Sequence, residues 1–204
     1  MTAMRVPNTE HTSRPWRIHE IAPDFRVEDV WRPPDVGRAD DFRRVVQTVA
    51  SYDPAHSSSF AVRNLFAVRW KLGELLRLDG PESAVGARVP TLRDRLPDDL
   101  REAPKPPLEA LPFTSLYLLE DEWAAEVANQ TMHGVMHLGR IPSGAGGFRI
   151  QMAVLVKPNG VLGEAYMTLI KPFRYALVYP PILNELGRAW RLSESGVSGL
   201  TASR

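Results

Sequence analysis

The chain has 204 residues with nearly balanced charge, 25 basic against 24 acidic side chains for a net +1, so it lacks the one-sided basic stripe that a phosphate backbone requires and no nucleic-acid partner is expected. It contains no cysteine, which rules out disulfides and thiolate metal sites. The N-terminal MTAMRVPNTEHTSRPW has no apolar signal core, and the longest apolar runs fall far short of the roughly 20 residues of a membrane helix, so the expectation is a cytoplasmic protein with no membrane association.

Apolar residues make up 44% of the chain, enough for one core with room for a cavity. Residues 1–14 read as a flexible N-terminal arm, 15–192 as a single domain and 193–204 as a flexible tail. In PWRIHEI, Trp16 and Ile18 alternate with polar residues, which predicts a short first strand over 15–21. PDFRVEDVW then predicts a short helix ended by Pro33-Pro34. A second helix is expected after an Asp40 cap, with Phe42, Val45, Val46 and Val49 on one face. A third follows the serines at 57–59, its stripe of Val62, Leu65, Phe66, Leu72 and Leu76 running to Gly80. Residues 80–110 are irregular and proline-rich, long enough to serve as a lid or mouth or as surface wrapping. Within them, TLRD has a capping spacing that opens one helical turn at 91–94.

From Phe113 the pattern becomes extended. Strands are predicted at 113–119, at 125–141 (bent, or bulged at Gly134) and at 148–157, with an acidic turn at Glu120–Glu122 and a glycine loop at 143–147. Pro158-Asn159-Gly160 is a strong turn signal and predicts a hairpin into a last strand over 162–171. Beyond Pro172 the period lengthens to about 3.6, placing Phe173, Leu177, Leu183, Leu186 and Trp190 on one side of a long helix, kinked or restarted at Pro180-Pro181.

The segments TMHGVMHLG, QMAVLVKPNG, YMTLIKPFRYALVYP and LGRAW resemble an uncharacterised bacterial family classed as a domain of unknown function, over about Arg14 to Arg191. Members of that family occur alone or fused behind an NAD(P)-binding, epimerase-like reductase domain. The resemblance implies kinship with the START and polyketide-cyclase-like helix-grip (SRPBCC) proteins. The implied fold is α+β: a curved antiparallel sheet wrapped around a long C-terminal helix, with helices inserted after the first strand and an apolar cavity between sheet and helix. No G-x-G-x-x-G follows a strand here, and GAGGF at 144–148 opens no helix, so no nucleotide cofactor is expected.

His133 and His137 lie four apart. On a strand they share a face about 13 Å apart, at roughly 3.3 Å per residue, and cannot chelate one metal, so no metal site is expected. One face of this strand carries Asn129, Thr131, His133, Val135 and His137, and the other carries Met132, Met136 and Leu138. On the next strand Phe148, Ile150, Met152, Val154 and Val156 share a face. If the polar faces turn inward, His133, Glu164 and Tyr166 are the proton-transfer candidates of a cofactor-free cyclase, dehydratase or isomerase. If the methionines do, the cavity is a binding site for a largely apolar small molecule, lined from Tyr117, Asn129, Met132, Met136, His137, Gln151, Met152, Met167, Phe173 and Leu177. A third expectation is an interaction module, with a homodimer formed through a sheet edge or the third helix.

Overall fold

Two long strands, β5 (Met132–Pro142) and β6 (Phe148–Pro158), form the spine of the sheet in the computed structural model, which describes residues 2–33, 42–57, 60, 62, 63, 85–87, 89–143, 147–173, 175 and 179–188. They pair antiparallel along their whole length, from Met132 against Pro158 to Pro142 against Phe148. β4 (Glu122–Ala128) flanks β5, and β3 (Thr114–Leu118) flanks β4. On the other side β6 pairs with β2 (Arg26–Arg32), and β2 with β1 (Met4–Val6). The result is an α+β fold whose six strands run in the order β1-β2-β6-β5-β4-β3, every pair antiparallel.

The first half of the chain departs from the sequence expectation. The supposed arm is structured: β1 pairs with β2, and a short helix α1 (Thr9–Thr12) buries His11 completely. The segment expected as a strand is helix α2 (Ile18–Ile21), because Ile18 and Ile21 lie on one helical side and both enter the core. The segment expected as a helix is β2, an interior strand. A bulge between Val27 and Asp29 breaks the alternation there, so the two-residue period is hidden in the sequence. α3 (Phe42–Ala50) matches its prediction, with Phe42, Val45, Val46 and Val49 all buried. Its Asp40 cap, nearly all of the third helix and Trp190 lie outside the described residues.

The predicted single strand over 125–141 is two strands. The chain turns at Asn129–Thr131, where the Asn129 side-chain oxygen accepts from Thr131 N (2.9 Å), Thr131 Oγ1 (2.8 Å) and Met132 N (3.1 Å). No bulge occurs at Gly134: the β4–β5 register is continuous from Glu122 against Gly139 to Ala128 against His133. The expected last strand is instead helix α5 (Gly160–Phe173). GVLGEAYMTLIK satisfies both periods, but Gly163 and Met167 form a buried i, i+4 pair while Glu164 and Thr168 are exposed, which is the helical solution. Residues 179–188 are helical.

Both faces of the sheet are covered. On one face Val30, Tyr117, Ala124, Val135, Ala153 and Leu155 pack against Trp16, Ile18, Ile21 and Phe25 of the N-terminal segment. Leu92, Leu96 and Leu100 join them, fully buried. Leu92 opens a 3-10 turn (Leu92–Arg95), capped by the Thr91 hydroxyl as its sequence predicts, Leu96 follows that turn, and Leu100 lies in the short helix α4 (Asp98–Arg101). Residues 92–100 are therefore anchored in the core by their leucines, where the sequence expectation had been a mouth or a loose wrap. On the opposite face Trp31, Trp123, Leu138, Phe148, Ile150 and Met152 pack against α3 and against Leu183 and Leu186 of 179–188.

Candidate functional site

Two glutamates on β4 and two histidines on β5 project from the face that the N-terminal segment covers. Glu122 stands opposite Gly139 and Glu126 opposite Val135. In each case the histidine two residues nearer the turn reaches the carboxylate diagonally, as neighbouring strands allow. His137 Nε2 lies 3.3 Å from Glu122 Oε2, and His133 Nε2 lies 2.9 Å from Glu126 Oε2. All four residues are buried.

Each glutamate also fastens a covering segment. Glu122 takes the backbone N–H of Arg17 on both oxygens, at 3.0 and 3.1 Å, at the entrance to α2. Glu126 takes the backbone N–H of Leu92 at 3.0 Å and the Thr91 hydroxyl, at the entrance to the 3-10 turn. The Arg17 guanidinium joins the two segments by gripping Asp99 at 2.7 and 3.2 Å. Gly139 completes the arrangement: a Cβ there would come within 2.7 Å of the Trp16 ring, so a glycine is needed for the indole to pack this closely on the strand.

The two carboxylates have opposite electrostatic fates. Burial pushes Glu126 up, but hydrogen bonds from His133, Leu92 N–H and Thr91 outweigh it, and its pKa is lowered. Burial dominates at Glu122, and the Tyr117 hydroxyl, the Arg17 N–H and the Arg17 charge only partly offset it, leaving the carboxyl at about 7. His137 extends this cluster: its Nδ1 lies 3.1 Å from His11 Nε2. Burial, with the charge of His19, holds His137 down to about 3. Burial, with His137, His19 and Arg14, holds His11 down to about 2. His19 sits edge-on to His11 with ring centres 4.9 Å apart. Among the described residues no group of three or more histidine or carboxylate side chains is arranged to hold a metal ion.

The sequence-predicted residues do not form one site. His133 sits with Glu126 on the covered face, while Glu164 is half exposed on α5 and paired with Arg26 at 2.7 Å. Tyr166 also lies in α5, with its side chain outside the described residues, so the expected strand pairing of Glu164 with Tyr166 does not exist. The proposed ligand wall divides across the sheet. Tyr117, His137 and Gln151 lie on the N-terminal side, whereas Met136 and Met152 pack on the side of α3 and 179–188. Met132 shares the Met136 face by alternation. Asn129 is a turn residue, Met167 is buried on α5, Phe173 ends α5, and Leu177 lies outside the described residues.

Sequence reasoning missed Glu122 and Glu126. The signal was present: E-x-x-x-E before the turn matches H-x-x-x-H after it, and equal four-residue spacings on paired strands put all four side chains on one face. Placing Glu122 in an acidic turn concealed it. The β2 bulge hid a second pair. It leaves Glu28 and Asp29 both buried, Glu28 meeting Lys171 of α5 at 2.9 Å and Asp29 accepting from Trp31 Nε1 at 3.0 Å.

The apolar side of the sheet holds a crevice of about 30 Å³ where α3, β6 and 179–188 meet. Pro33, Val45, Thr48, Val49, Ile150 and Leu186 line it. Among the described residues no helix is long and apolar enough to cross a membrane. No curated protein and no solved structure matches the chain. A family model described as "Protein of unknown function (DUF2867)" matches residues 21–181, most of the chain, and the chain belongs to that family.

Proposed function

We propose that this protein binds a largely apolar small molecule between its sheet and the helical layer of α3 and residues 179–188. The observation that carries the reading is the crevice at that junction, whose lining of Val45, Val49, Ile150 and Leu186 is aliphatic. A volume of about 30 Å³ holds little more than a water molecule, so a ligand has to widen it. Met136 and Met152 pack on the same side, and unbranched thioethers change rotamer at low cost. The chain order supports a helix-grip relationship. The early strand β2 pairs with the last described strand β6, helical segments separate β2 from β3, the remaining strands follow in sequence, and helical segments follow β6. A cyclase- or isomerase-like enzyme built on His133, Glu164 and Tyr166 has weaker support, because His133 and Glu164 lie in separate ion pairs.

Fluorescence of the apolar dye ANS, titrated into the wild type and into Ile150→Phe and Val49→Phe, tests the proposal. Binding is expected in the wild type and about tenfold weaker or worse, a loss of at least about 1.4 kcal/mol, in the filled variants. Displacement of the dye by apolar metabolites would then identify the ligand class. Folded variants that bind the dye as the wild type does, or a wild type that binds none, would refute it.

A further inference from the structure

The unbroken chain from Glu122 through His137 to His11 has a property that the Glu126–His133 pair lacks. His137 uses both ring nitrogens inside the chain, Nε2 toward Glu122 at 3.3 Å and Nδ1 toward His11 Nε2 at 3.1 Å. A neutral imidazole carries one proton, so it donates from one nitrogen and accepts at the other. The protonation state of Glu122 therefore dictates every proton position beyond it.

When Glu122 is protonated, its O–H donates to His137 Nε2. His137 then carries its proton on Nδ1 and donates to His11 Nε2, and His11 carries its own on Nδ1. When Glu122 is ionised, it has no proton to give, and His137 Nε2–H donates to it instead. His137 Nδ1 then accepts from His11 Nε2–H, and His11 Nδ1 is bare. The two states differ by one proton, which is lost to bulk water: Glu122 loses its proton to His137 Nε2, His137 passes its Nδ1 proton to His11 Nε2, and His11 gives up its Nδ1 proton. That nitrogen is buried and has no hydrogen-bond partner among the described residues.

We propose that Glu122, His137 and His11 form a proton relay in which ionisation of Glu122 reverses the tautomers of both histidines and releases the proton at His11, on the N-terminal segment. The relay ties the hydrogen-bonding character of that segment to pH near neutrality. Burial supports the assignment, since it holds both imidazoles below the range in which a second proton would bind while raising Glu122 to about 7. The titratable groups around the relay are Arg14 after α1, Arg17 and His19 at α2, Tyr117 on β3 and Asp121 before β4. None of them is hydrogen-bonded to His137, so none interrupts the chain.

Imidazole ¹⁵N and carboxyl ¹³C NMR of the selectively labelled wild-type protein, from about pH 5 to about pH 9, tests this directly. The expected result is that the proton of His11 and of His137 moves from Nδ1 to Nε2 with one midpoint, shared with the Glu122 carboxyl shift. Glu122→Gln, whose amide donates to His137 Nε2 at every pH, should lock both rings in the Nδ1–H form. Tautomers that stay constant while Glu122 titrates would overturn the relay, as would tautomers that switch in Glu122→Gln. The wild-type measurement decides the matter if that variant does not fold.

Discussion

Replacing Gly163 by alanine separates two accounts of α5 by the sign of the effect. In an isolated helix the change is favourable by about 1 kcal/mol, because alanine loses less backbone entropy. Here a Cβ on Gly163 would lie 2.1 Å from the Thr131 carbonyl oxygen, against an ordinary contact of at least 3.4 Å. The helix and the β4–β5 turn must then separate by about 1.3 Å, the difference of those two distances. The obstacle is backbone, so no side-chain rotation relieves it. Overpacking of this kind costs about 1–3 kcal/mol. The shift also strains the bonds from Asn159 N to Thr131 O at 2.8 Å and from Asn159 Nδ2 to Asn129 O at 2.9 Å, at about 1 kcal/mol each. Against the propensity gain, the net expectation is a loss of about 3 kcal/mol. Urea unfolding followed by far-UV circular dichroism measures it. Gly134→Ala is the control: its Cβ meets the movable Met132 sulfur at 3.0 Å, and the expected loss is under about 1 kcal/mol. Gly163→Ala as stable as the wild type, or more stable, would refute the close approach of α5 to the turn.

Glu126→Gln should weaken the bonds to Leu92 N–H, Thr91 and His133, costing about 1.5–3 kcal/mol, and should release 91–101 first. Faster hydrogen exchange in that segment, with α3 unchanged, is the check. The pH dependence of stability divides at the Glu122 cluster. The folded-state pKa values of His11 and His137 lie below 6.5, so each adds about 1.4 kcal/mol per pH unit as pH rises toward 6.5 and nothing beyond it. Glu122 is raised from 4.5 to about 7, so it subtracts a similar amount per unit between those values. Wild-type stability should rise toward a maximum near pH 6.5 and dip just above it, and Glu122→Gln should remove the dip while steepening the rise; chemical denaturation at stepped pH reads both.

The strands that flank the glycine loop were legible because their alternation is strict. Met136 and Leu138 against His133, Val135 and His137, and Phe148 to Val154 in steps of two, admit only one pair of faces. α3 was legible for the same reason at the helical period. Several segments misled, and three of them have an identifiable local cause. β2 carries a bulge that cancels its alternation, α2 spans only four residues, and α5 fits both periods until Gly163 meets the Thr131 carbonyl.

Local pattern thus determined an α+β chain with an antiparallel sheet, and placed the histidines and the methionines of β5 on opposite faces. Only the tertiary structure decided what each face meets. His137 finds Glu122 across 15 residues of sequence and His11 across 126, and Glu126 finds the Leu92 amide across 34. Those partners come from segments with no period of their own. They are fixed by where Trp16, Leu92 and Leu100 find room to bury, and that is a property of the assembled sheet.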